Sequence, residues 1–186
     1  MGGTLVVVIG GTRSGKSAFA ERLAARWAPA VLYVATARLT DPELAARAAA
    51  HRARRPPSWA LVEEPLEPAR AIAARPAPAV VLLDSLTLLV ANALELAPAR
   101  DAPAAHVQRV VEELVALARE GQRRLVIVTD EVGQGGVALT PLGRQFADLL
   151  GDANQALAAA ADRVYYVVAG LAVDLRALAT PEAVEL

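Results

Sequence analysis

One octapeptide, Gly10-Gly11-Thr12-Arg13-Ser14-Gly15-Lys16-Ser17, constrains this 186-residue chain more than any other feature. It fits G-x-x-x-x-G-K-[ST], the phosphate-binding loop, which functions only between a buried strand and the first turn of a helix. Both flanks suit that placement: the apolar run Leu5–Ile9 precedes it and the helix-forming segment Lys16–Trp27 follows. Among 19 lysines and arginines, Lys16 is the only lysine. A compact ammonium reaches the β- and γ-phosphates as a point charge, in a slot too narrow for a planar guanidinium. Gly10, Gly11 and Gly15 free the backbone amides to turn towards phosphate oxygens, and the helix N-terminus adds its dipole. The motif predicts a nucleoside triphosphate site, with the Ser17 hydroxyl as a ligand of Mg2+. The bland alternative is a glycine-rich turn carrying one surface lysine.

Further apolar runs lack alternation: Val31–Ala35, Val80–Leu83, Leu125–Val128 and Val164–Val168. Such runs suit strands buried on both faces, as in a parallel sheet covered by helices. Helical composition fills Pro42–Arg54, Ala104–Glu120 and Leu142–Ala161, and a weaker strand is expected at Ala60–Glu63 after Pro56-Pro57. Strand alternating with helix predicts an α/β three-layer sandwich around a mostly parallel sheet, with residues 1–186 forming one domain. The prolines at 76–78 and 98–103 read as connectors.

Magnesium in such sites is held by an acid where a neighbouring strand emerges, and Asp84 ends the run Val80–Leu83. Asp130 and Glu131 end Leu125–Thr129 in the same way. For each of these acids a helix cap or a loop charge is the alternative. Of the two histidines, His106 is expected on the solvent face of its helix. His51 differs, because Asp41-Pro42 makes a good helix start and Leu44, Arg47 and His51 then share one face. Arg52, Arg54 and Arg55 follow directly and gather positive charge where a triphosphate could lie. A neutral imidazole there can attack phosphorus, and neighbouring cations disfavour its protonated form. A solvated basic helix end remains the other reading.

Net charge −1 argues against a nucleic-acid partner or a membrane-surface binder. The absence of cysteine excludes disulfides and thiolate metal sites. Leu5–Ile9 is too short for a signal or a membrane span, so a soluble cytoplasmic protein is expected.

An ordered set of motifs runs along the chain. Gly10–Ser17 is followed by Tyr33-Val34-Ala35-Thr36-Ala37, by Asp41–Arg47 leading to His51, and by Arg55-Pro56 with Trp59 and Glu63. Leu83-Asp84-Ser85-Leu86-Thr87 with Asn92, Thr129–Gly133, Arg144–Asp148 with Gly151, Asn154-Gln155 and Ala161-Asp162 complete it. By this set, from about residue 4 to about residue 172, the chain resembles the bifunctional adenosylcobinamide kinase / adenosylcobinamide-phosphate guanylyltransferase family of cobalamin biosynthesis. Family members often carry cysteine where Ser85 stands, and some have two adjacent histidines where this chain has Ala50-His51.

The resemblance implies a RecA-like P-loop NTPase fold and two reactions. A nucleoside triphosphate phosphorylates adenosylcobinamide; then GMP passes from GTP to adenosylcobinamide phosphate through a guanylyl-histidine, giving adenosylcobinamide-GDP. It makes His51 the guanylylated residue, Lys16 a catalytic partner, and Ser17 and Asp84 the Mg2+ ligands. Gly10, Gly11, Thr12, Arg13, Ser14, Gly15, Lys16 and Ser17 would cradle the triphosphate, GTP with ATP as a possible phosphate donor. Ala35, Thr36, Ala37, the stretch Arg52, Ala53, Arg54, Arg55, then Glu63, Asp84 and Ser85 would line the GTP site. A homotrimer is also implied.

Two rival readings stand beside it. A simple P-loop small-metabolite kinase would form no covalent nucleotide. A non-catalytic GTP-binding regulatory module would need an exposed apolar face or a partner tail, for which the sequence offers no strong candidate.

Overall fold

The computed structural model describes residues 3–38, 49, 52–53, 55–75, 79–96, 102–120 and 123–179. Strands β1 (Thr4–Gly10), β2 (Leu32–Ala35), β3 (Ala60–Glu63), β4 (Val80–Asp84), β5 (Arg124–Asp130), β6 (Arg163–Val168) and β7 (Leu171–Asp174) form one sheet. Its order is β3-β2-β4-β5-β1-β6-β7. All pairings are parallel except β6 with β7. The helices whose bounds fall among the described residues are α1 (Lys16–Trp27), α2 (Pro68–Ala73), α3 (Leu86–Leu96), α4 (Pro103–Glu120), α5 (Pro141–Ala160) and α6 (Leu175–Leu178). This is the α/β three-layer sandwich that the sequence predicts.

Two apolar cores explain why the strand runs do not alternate. Val6, Val8, Val80, Leu82, Val126 and Val128 face Ala20 and Ala24 of α1. Their strand neighbours Leu5, Val7, Val81, Leu83, Leu125 and Ile127 face the other way, onto buried residues of α2, α3, α4 and α5. Successive side chains on a strand point to opposite faces, so a strand covered on both must be apolar throughout. No helix among the described residues is long and apolar enough to cross a membrane.

The structure corrects two expectations. His106 is only 2 % exposed. Its Nδ1 lies 3.1 Å from the Arg109 guanidinium, which can only donate, so Nε2–H donates to the Leu66 carbonyl at 3.3 Å. Arg109 also donates to both carboxylate oxygens of Glu67 at 2.7 and 3.1 Å, and this pairing holds the Glu67 carboxyl below its usual range. His106 thus helps fasten α4 to the segment entering α2.

The second correction is an exposed apolar strip. Leu171 (75 % exposed), Val173, Leu175 and Leu178 project from edge strand β7 and α6. Val137, Leu139 and Leu142 are exposed ahead of and within the first turn of α5.

Candidate nucleotide site

The C-terminal ends of five parallel strands carry the predicted site residues to one edge of the sheet. Gly10 ends β1, Ala35 β2, Glu63 β3, Asp84 β4 and Asp130 β5. Pairing aligns them: Ala35 with Glu63 and Asp84, Asp84 with Val128, and Gly10 with Asp130. That edge is where ligands bind in open α/β sheets, because loops and helix N-termini converge there.

The phosphate loop occupies the step from β1 to α1. Arg13 (φ 58°) and Gly15 (φ 93°) both adopt left-handed backbone, and Gly15 sits directly before the first turn of α1. Thr12 and Arg13 are exposed, Ser14 is buried, and Ser17 is half-buried in the first helical turn. A two-residue turn, Ala169-Gly170, with positive φ at both positions joins β6 to β7 and braces the loop from beside it. There the Gly170 N–H donates to the Ser14 carbonyl at 2.8 Å.

Gly10 is required by space: a Cβ there would meet the Val167 backbone oxygen at 2.4 Å, whereas one at Gly11 would meet nothing within 4 Å. Gly10→Ala is expected to cost about 1–3 kcal/mol of stability, since backbone of β6 must shift, and to weaken triphosphate binding at least about tenfold. Gly11→Ala should leave stability within about 0.5 kcal/mol. Thermal melts and nucleotide titrations of the two variants check this.

The Lys16 ammonium lies 2.5 Å from Asp130 Oδ1 and donates to the Gly11 carbonyl at 3.2 Å. Asp130 and Asp84 follow the strand residues that face α1, so both carboxylates stand on the loop's side of the sheet. The phenol of Tyr33 donates to Asp84 Oδ2 at 2.8 Å. Burial, then the Asp84 carboxylate, pushes that phenol far above its usual range and keeps it a donor. The Arg55 guanidinium stacks 3.7 Å from the centre of the same ring. Arg52 meets Glu63 at 3.4 Å. Two members of the basic stretch therefore converge on the ends of β2, β3 and β4.

Thr36 is fully buried and holds the turn after β4. Its hydroxyl donates to the Ser85 carbonyl at 2.6 Å and accepts from the Ser85 N–H at 2.9 Å. Asn92 on α3 donates to the Thr36 carbonyl at 2.8 Å and to that of Pro65 at 3.2 Å. Ser85 Oγ accepts from the Leu88 N–H at 3.3 Å, tying the same turn to the first turn of α3. Ala35 and Ala37 flank Thr36 and are partly open, while Ala53 is exposed. His51, Arg54 and the Asp41–Arg47 motif lie outside the described residues.

Tyr33 escaped the sequence reading as a functional residue, although a lone phenol in a buried strand was a usable signal. Asn92 was quoted only as part of a motif. An amide in an otherwise apolar helix marks a buried hydrogen-bonding task.

Among the described residues no three His, Cys, Asp or Glu side chains gather into a metal cage. Ser17 and Asp84 offer one hydroxyl and one carboxylate, both hard oxygens. That donor set fits Mg2+, which keeps several waters and is completed by substrate phosphates.

A family model described as cobinamide kinase / cobinamide phosphate guanyltransferase matches residues 6–175. The bifunctional adenosylcobalamin biosynthesis protein of Pseudomonas aeruginosa is 41 % identical over 174 residues, covering 91 % of this chain and 96 % of that one. Its counterparts in Salmonella typhimurium and Escherichia coli are each 38 % identical over 181 residues, covering 92 % of this chain and 99 % of theirs. In three dimensions, a DnaB-like replicative helicase aligns with a TM-score of 0.51 at 13 % identity, over 88 % of this chain and 46 % of the helicase. This last likeness speaks for the P-loop NTPase fold alone.

Proposed function

Because the chain belongs to the cobinamide kinase / cobinamide phosphate guanyltransferase family, we propose that one domain, residues 1–186, performs both reactions at the C-terminal edge of its sheet. The observation that carries this is the meeting of an intact phosphate loop with Ala35, Glu63, Asp84 and Asp130 at aligned strand ends.

In the kinase step the loop amides and Lys16 hold the triphosphate of ATP or GTP. The aminopropanol hydroxyl of adenosylcobinamide attacks the γ-phosphorus. A new O–P bond forms, the β–γ bridging bond breaks, and the hydroxyl proton leaves to solvent or a nearby base. Catalysis here is mainly positioning and charge stabilisation, which the loop and Lys16 supply. Mg2+, held by Ser17 and Asp84, would screen the phosphate oxygens and orient them.

In the transferase step GTP presents its α-phosphorus to the His51 imidazole. An N–P bond forms as the α–β bridging bond breaks, and pyrophosphate leaves. A phosphate oxygen of adenosylcobinamide phosphate then displaces the imidazole, giving adenosylcobinamide-GDP. Arg52 and Arg55 stabilise charge on the phosphates in flight. Tyr33 holds Asp84 from below, and Thr36 fixes the turn that carries it. The assembly is a homotrimer, and the apolar strip on β7 and α6 provides surface for contact between copies. Analytical ultracentrifugation reads that state directly.

Incubating the protein with adenosylcobinamide, GTP and Mg2+ and following products by mass spectrometry tests the proposal. Adenosylcobinamide phosphate should appear first and adenosylcobinamide-GDP second. Phosphate alone would favour the simple kinase. Bound nucleotide with neither product would favour the regulatory module.

A further inference from the structure

Asp130 has a place in the site that neither reaction explains. Its backbone is pinned: the N–H donates to Thr87 Oγ1 at 2.8 Å and the carbonyl accepts from Asn154 Nδ2 at 3.0 Å. Asn154 is oriented in turn by the Thr129 hydroxyl at 2.7 Å, and the next N–H, of Glu131, donates to the Gly10 carbonyl at 3.2 Å. The backbone that carries the carboxylate is therefore fixed beside the loop, and the Asp130 side chain is shorter and has fewer rotatable bonds than that of Lys16. Oδ1 is buried 2.5 Å from the Lys16 ammonium, a close contact between opposite charges.

A triphosphate entering the loop competes with Asp130 for Lys16. It also meets two carboxylates, Asp130 and Asp84, on adjacent strands and the same face of the sheet. Against these stand Lys16, the positive end of α1 and the exposed Arg13. A bare triphosphate brings about four negative charges into that field, and a bound divalent cation removes two of them. We propose that Asp130 makes the phosphate loop selective for the metal-complexed triphosphate over the bare one. The inference rests on the phosphate-loop reading above. It makes Asp130 a specificity-determining residue acting through Lys16.

Titration with fluorescent N-methylanthraniloyl-GTP, once in excess Mg2+ and once in EDTA, reads the selectivity without turnover. Asp130→Asn should tighten binding of the bare nucleotide about tenfold and change the Mg2+ complex by less than about threefold. Asp130→Ala should narrow the preference equally, which separates the lost charge from any hydrogen bond gained by an amide. The bonds that pin the strand end use the Asp130 backbone N–H and carbonyl, which both variants keep. An unchanged ratio in both variants, or equal weakening of both forms, would overturn the assignment. If the unmodified protein bound neither form, the nucleotide-site reading would fall as well.

Discussion

His51→Ala is expected to lower guanylyl transfer by about 10³-fold or more while changing GTP affinity by less than about threefold. The asymmetry follows from what the imidazole contributes. In the proposed site, phosphate affinity is expected from the loop amides, Lys16 and the arginines, none of which is removed. The covalent route, by contrast, loses its imidazole: the chain has no cysteine, and its other histidine, on α4, is 2 % exposed and bonded to Leu66. Adenosylcobinamide phosphate should then accumulate, because phosphoryl transfer to the alcohol needs no enzyme nucleophile. Steady-state assays of the two steps, each begun from its own substrate, check the split.

Lys16→Ala should depress both reactions, each by roughly 10²–10³-fold, as losing one preorganised charge at a reacting phosphate does elsewhere. Lys16→Arg should fail to restore activity, since a guanidinium is too wide for the slot and would stay with Asp130. The side chain is 12 % exposed and its removal strands the Asp130 carboxylate, so some loss of stability accompanies the loss of rate. Combining Lys16→Ala with Asp130→Asn should recover stability but not rate. Thermal melts beside kinetics of the single and double variants separate the two effects.

The sheet was legible in the sequence because burial on both faces leaves a simple mark, an unbroken Val/Ile/Leu run. All six expected strands exist, and Ala60–Glu63 has the expected bounds. What escaped notice lacks such a mark. Helix α3 buries Leu86, Leu89, Val90 and Ala93 and is apolar around most of its surface, so it shows little helical period. Strand β7 is exposed from Leu171 to Val173 and joins the sheet through a two-residue turn, so neither burial nor alternation marks it.

His106 is a different kind of miss. It stands four residues before Val110 and eight before Leu114, on the stripe that packs against the sheet, and that spacing was visible. Its polarity suggested solvent, but Leu66, Arg109 and Glu67 satisfy the ring where it is buried.

For the site, the loop and the strand-end acids could be read from motif and position. The linkage from Arg55 through Tyr33 to Asp84, and the Lys16–Asp130 pair, needed the sheet order, because they join residues far apart in the chain.

The proposed function turns on one step, the passage of GMP through a covalent bond to His51. Intact-protein mass after incubation with GTP and Mg2+, quenched at alkaline pH because phosphoramidates are acid-labile, tests it most directly. The expected result is a gain of one GMP that His51→Ala abolishes. An unchanged mass while GTP is bound and adenosylcobinamide-GDP is being formed would contradict it.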